Sequence, residues 1–202
     1  MKINSNRRNF LKTGAIAGSL IFLPRFKGAE AWEANEEIQK SRRAALAVLK
    51  PTGAQLERGL KLHQESVVFD TYSFAPRCAI DGSALAKLAS ENASAIEIKD
   101  ARERMMMVRC VDDVEERKEF IQAWKASGVT CLFQNAGEEG QAPLRLIKRL
   151  ANFTYVTDHM KGFLNKATTT ADVLAAKKSG QHCLYFTGNG VPLTQQWISV
   201  AD

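Results

Sequence analysis

Two kinds of apolar pattern alternate along this chain. Short unbroken runs occur at residues 67–69 (VVF), 129–133 (VTCLF) and 183–186 (CLYF), each closed by a polar or glycine-bearing turn. Such runs suit strands buried on both faces. Between them lie longer stretches with helical signals. Residues 35–49 are rich in Ala, Leu and charge, and Pro51 suits the start of a second helix to about residue 64. Asp81-Gly82-Ser83 opens a short helix to residue 89, and Asp112-Asp113 caps one over 114–126 that stops at Ser127-Gly128. Leu144, Ile147, Leu150 and Phe153 mark an amphipathic helix over 143–159. Thr169 and Asp172 form a capping box for a helix that ends at Gly180. The charged segment 97–108 carries the triplet Met105-Met106-Met107, which reads as core filler.

Strand, helix, strand, helix, strand predicts an α/β fold of parallel strands joined by right-handed crossovers. Two N-terminal helices precede the first strand. Three β/α units fall short of the roughly 250 residues of a closed (β/α)8 barrel. The chain thus reads as the front part of something larger, with a parallel edge exposed at its third strand.

Charge changes the picture in one place. The chain has 202 residues, 45% of them hydrophobic, and a net charge of +6. Residues 1–31 hold six of the 28 Lys/Arg and one of the 22 acids, so 32–202 carry 22 bases against 21 acids. The basicity belongs to the first segment, and no nucleic-acid surface is expected. That segment contains Asn6-Arg7-Arg8-Asn9-Phe10-Leu11-Lys12, similar to the twin-arginine export motif, then an apolar stretch over 13–23 and an Ala29-Glu30-Ala31 cleavage site. The apolar stretch is about half of the ~20 residues a membrane span requires. The expected division is a signal peptide at 1–31 and one domain at 32–202. The protein is then exported to the periplasm or another extracytoplasmic space, with no transmembrane span after cleavage; an uncleaved anchor is the alternative. The four cysteines, Cys78, Cys110, Cys131 and Cys183, include no C-x-x-C pair. Export permits disulfides, but the spacing does not require them.

The segments LHQESVVFDTYSFAP, beginning at Leu62, and FTYVTDHMKGFLNKATTTADVLAAKKSGQHCLYFTGNG, beginning at Phe153, resemble the amino-terminal half of the membrane dipeptidase (renal dipeptidase) metallopeptidases. The resemblance covers roughly residues 62–200. It implies a partial TIM-type (β/α)8 barrel, about the first three β/α units, and dipeptide hydrolysis by two zinc ions. In that family the first strand ends in Asp-Gly-His-Asn-Asp, whose His-x-Asp binds metal. The matching positions here are Asp70, Thr71, Tyr72, Ser73 and Phe74, so Tyr72 and Phe74 stand at the ligand places. The family's bridging Glu is matched by Thr187, in Thr187-Gly188-Asn189-Gly190.

A catalytic zinc needs about three N, O⁻ or S⁻ ligands, and a two-metal site needs a bridging carboxylate. A phenol, a benzyl ring and a threonine hydroxyl offer none of these at neutral pH. The three histidines, His63, His159 and His182, make no metal-binding motif, and no cofactor is expected. Asp70, Ser73, Gln134, Asn135 and Asn189 remain as candidate pocket-lining residues, a neutral hydrogen-bonding set apart from Asp70. Glu138-Glu139 reads as a solvated loop tip. No catalytic residue is assigned. Three readings stay open: a dipeptidase, a non-catalytic barrel that binds a small peptide, another small molecule or a partner, and a truncated fragment of a longer peptidase-like protein whose bare edge invites pairing with another chain to complete the barrel.

Overall fold

Polar caps set the helix boundaries. In the computed structural model, which describes residues 31–137 and 142–188, a short 3-10 turn at Ala31–Ala34 leads into α1 (Glu36–Leu49), where Asn35 accepts a hydrogen bond from the Ile38 amide. Thr52 and Gln55 form a capping box for α2 (Gly53–Glu65), so this helix begins after Pro51 rather than at it. Asp81 caps α3 (Gly82–Ser90), Ser94 and Glu97 box the start of α4 (Ala95–Asp112), and Asp113 caps α5 (Val114–Ser127). The expected box of Thr169 and Asp172 opens α7 (Thr170–Ser179). At Gly128 (φ +65°) and Gly180 (φ +67°) the chain turns left-handed to end α5 and α7, a conformation that glycine adopts without a Cβ penalty. The export segment at 1–30, Glu138-Glu139 and Asn189 lie outside the described residues.

Four strands form one parallel sheet: β1 (Phe69–Ser73), β2 (Cys131–Gly137), β3 (Leu164–Lys166) and β4 (His182–Gly188), in the order β1-β2-β4-β3. The expected α/β class and parallel pairing are present, and the sheet is open. The three expected strands lie side by side, and each runs further toward its carboxyl end than its apolar run. β3 was not expected. It is three residues long, too short for a periodic signal, and exists because Leu164, Asn165 and Lys166 pair with His182, Cys183 and Leu184.

The strand order fixes the layers. From β1 to β2 to β4 the chain steps in one direction, and α4, α5 and α6 (Pro143–His159) cover one face. From β3 to β4 it steps backward, so a right-handed crossover must carry α7 over the opposite face. The packing agrees. Leu132 and Leu184 meet Val108, Phe120, Trp124, Val156 and Leu164 in the main core, while Cys131 and Cys183 meet Ala167, Val173 and Ala176 in a second cluster. Beyond α7, that second face carries an aromatic row. Phe133 lies 5.2 Å from Phe69 and 4.8 Å from Tyr185, and the two outer rings are exposed.

Two helices depart from the expected pattern. The segment with the methionine triplet is the 18-residue helix α4, and Met107 does pack against the main core. On α6 the anticipated stripe is displaced: Leu144 and Ile147 are exposed, and Arg149, Phe153, Val156 and Thr157 are buried. A buried arginine breaks the apolar pattern because its partner comes from another helix. No helix among the described residues is long and apolar enough to cross a membrane.

His182 opens β4 inside the main core's aromatic wall, with ring centroids 5.1 Å from both Trp124 and Phe163. Its Nδ1–H donates to the Val129 carbonyl at 2.6 Å, which fixes the neutral tautomer. Burial holds its pKa below the ordinary 6.5, with nearby Lys125 acting in the same sense. The unfolded chain therefore binds the proton more readily. The stability this provides is complete above the ordinary pKa and is lost as the pH falls through the depressed folded value. Urea midpoints measured from about pH 7.5 to about pH 5 should fall for the native chain, and His182→Gln should flatten that fall.

Candidate functional site

The carboxyl ends of β1, β2 and β4 meet in register, with Ser73 opposite Gln134, Gln134 opposite Phe186, and Asn135 opposite Thr187. Ser73, Gln134, Asn135 and Thr187 are thus gathered at one edge of the sheet, as the sequence suggests. Between Asp70 and Ser73, β1 advances three residues while β2 advances two, which is a β-bulge. The bulge matters for the positions matched to the family's metal ligands. Tyr72 is 65% exposed, while Phe74 lies beyond the strand, lines a cavity on the helical face, and has the Arg77 guanidinium 5.3 Å from its ring centroid. Asp70 is half-buried, and its Oδ1 accepts the Tyr72 amide at 3.1 Å.

Gln134 and Asn135 are both only 2% exposed, and they organise this edge in different ways. On the helical face, Gln134 Oε1 accepts the Ala75 amide at 2.7 Å, and its Nε2 donates to the Asn135 carbonyl at 3.2 Å. The same carbonyl accepts Arg149 Nη2 at 3.3 Å. Arg149, 4% exposed, lies 3.6 Å from Glu103 on α4, and Arg145 reaches the same carboxylate at 3.1 Å. This network pins the strand end, the 74–77 segment, α4 and α6 together. Strand alternation puts the Asn135 side chain on the other face, with Phe133. Its buried Oδ1 has no hydrogen-bond partner there, which leaves a ready acceptor beside Thr187.

The cavity enclosed by Phe74, Met106, Gln134, Arg149 and Phe153 has a volume of about 50 Å3. That volume is enough for an ordered water beside Gln134 and Arg149. A larger, open hollow of about 220 Å3 lies next to this cavity, between α1, α5 and the segment after β1, and is lined by Glu37, Glu116 and Glu119 together with Pro76, Arg77 and Cys78. The second face above α7 carries the other strand-end groups, Asn135 and Thr187.

The donor chemistry at Tyr72, Phe74 and Thr187 does not fit a zinc pair. An exposed phenol, a benzyl group turned toward the helical layer and a hydroxyl supply no anionic or imidazole ligand. The histidines lie elsewhere: His63 Nε2 contacts the Ser127 carbonyl at 2.9 Å, His159 Nδ1 contacts the Tyr155 carbonyl at 2.8 Å, and His182 is in the core. Among the described residues, no three His, Cys, Asp or Glu side chains gather closely enough to hold a metal ion. No family model, curated protein or solved structure matches the chain.

The residues that sequence reasoning missed are Arg149 and Glu103. Arg149 does occupy a place in the true apolar stripe of α6, which is a faint signal. Its acidic partner, 46 positions earlier on α4, carries none. Glu103 is a carboxylate shared by Arg149 and Arg145, both of which keep further contacts without it. Glu103→Ala should cost about 1–2 kcal/mol in denaturant unfolding, whereas Glu115→Ala, at an exposed pair, should change stability by less than about 0.5 kcal/mol.

Proposed function

We propose that this is an exported protein of the membrane-dipeptidase kind that binds a small peptide or similar small molecule at the strand ends without two-zinc hydrolysis. The observation that carries this reading is the chemistry of the strand ends. The places that match the family's metal ligands hold Tyr72, Phe74 and Thr187, while Ser73, Gln134 and Asn135 form a neutral hydrogen-bonding edge. The buried, unpaired Asn135 Oδ1 would accept a ligand N–H, and the Phe69, Phe133 and Tyr185 rings would bed an apolar side chain. The sequence resemblance alone supports a partial barrel as the scaffold; the order β1-β2-β4-β3, with α7 on the face opposite α4, α5 and α6, is that of an open sheet covered on both faces. In this arrangement Asn135 orients the ligand by a directional hydrogen bond, Thr187 offers a second polar contact, and the aromatic row supplies most of the contact area.

A second reading draws on the sheet edge. β3 pairs with β4 only as far as Leu184, and no strand among the described residues covers the outer edge of β4 from Tyr185 to Gly188. Bare parallel edges invite pairing, so this favours a strand of another chain completing the barrel.

Metal analysis and dipeptide turnover on the purified chain test the first reading, together with calorimetric titration against a dipeptide panel. The expected result is substoichiometric zinc, no metal-dependent cleavage, and binding of at least one dipeptide that Asn135→Leu weakens about tenfold, or ~1.4 kcal/mol. Stoichiometric zinc with metal-dependent cleavage would sink the proposal.

A further inference from the structure

The four cysteines, far apart in sequence, come together as two pairs. Cys78 joins the segment after β1 to α4: its amide donates to the Met106 carbonyl at 2.9 Å, and its Sγ accepts the Cys110 amide at 3.1 Å. Cys131 and Cys183 are direct register partners on neighbouring parallel strands. All four are buried as free thiols. The Cys110 thiol donates to the Met107 carbonyl at 3.7 Å and the Cys183 thiol to the Thr130 carbonyl at 3.6 Å. In each pair the neighbouring thiol, with burial adding to the effect, pushes Cys110 and Cys183 upward, while Cys78 and Cys131 are lowered by theirs.

We propose that these are two disulfide sites, Cys78–Cys110 and Cys131–Cys183, which close once the chain is in an oxidising compartment. The geometry suits both bridges. Neighbouring strands run about 4.8 Å apart, inside the ~4.4–6.8 Å Cα separation of disulfides. At the other pair, Cys78 Sγ already sits against the backbone of Cys110. The placement has a mechanical meaning too. One bridge ties the 74–78 segment, which carries Phe74 and Ala75 of the strand-end site, to α4. The other locks β2 to β4 under the aromatic row. Each bridge forms as two thiols lose two protons and two electrons to a disulfide, which is reduced to two thiols; in the cell that acceptor would be an extracytoplasmic protein-thiol oxidase. The cellular step rests on the export reading, and the pairing does not.

The test uses the full-length chain, reduced and unfolded, then refolded with excess glutathione disulfide. Expected are a mass lower by two hydrogens per bridge, no thiol alkylated in denaturant, and proteolytic peptides linking Cys78 to Cys110 and Cys131 to Cys183. Cys110→Ser and Cys183→Ser should each lower the melting temperature of the oxidised chain by roughly 10 °C and change the reduced chain much less. Alkylatable thiols at either pair, crossed pairing, or equal melting losses in both redox states would overturn the proposal. Because refolding is done in vitro, a chain that proves not to be exported still reports its pairing.

Discussion

Strand β2 can satisfy its backbone only by lying between β1 and β4, because its residues are shielded from water on both faces. Leu132 packs under Trp124 and Phe120 in the helical layer, while Cys131 lies against α7 with Cys183. A buried N–H or C=O without a partner costs about as much as a lost hydrogen bond. The strand therefore needs neighbours on both edges and helices on both faces. The right-handed crossovers then leave little choice: α4, α5 and α6 take one side, and the backward step from β3 sends α7 to the other.

The same two-sidedness divides the strand-end residues into two jobs. Gln134 and the Asn135 carbonyl belong to the helical face, where they hold the 74–77 segment and α6 together through Arg149 and Glu103. Asn135 Oδ1 and Thr187 belong to the opposite face, above the aromatic row. Residues adjacent in sequence thus face different surroundings, because successive side chains on a strand point to opposite faces.

This division bears on chemistry. Tyr72 stands beside the bulge in β1 and is largely exposed, while Phe74 lies beyond the strand and lines the cavity on the helical face. Neither side chain carries the charge needed to hold a divalent cation. The edge offers directional hydrogen bonds and aromatic surface instead, and the proposed ligand binding rests on these. The cysteine pairs sit where they would stiffen this edge, one behind the segment with Phe74 and one beneath the aromatic row.

Much of the fold was legible in local chemistry. Capping residues such as Thr169 and Asp172, terminal glycines such as Gly128, and unbroken apolar runs act within a few residues, so the sequence by itself determined the helices other than α4, three of the four strands and their parallel alternation. It also determined what the strand ends can do, since Tyr72, Phe74, Thr187 and Asn135 keep their chemistry wherever they are placed. Only the tertiary structure decided the short strand β3, the bulge in β1, the burial of Arg149 against Glu103 and the pairing of the cysteines. Each of these depends on a partner tens of residues away, and no local periodicity encodes a contact whose two halves meet only after the chain has packed.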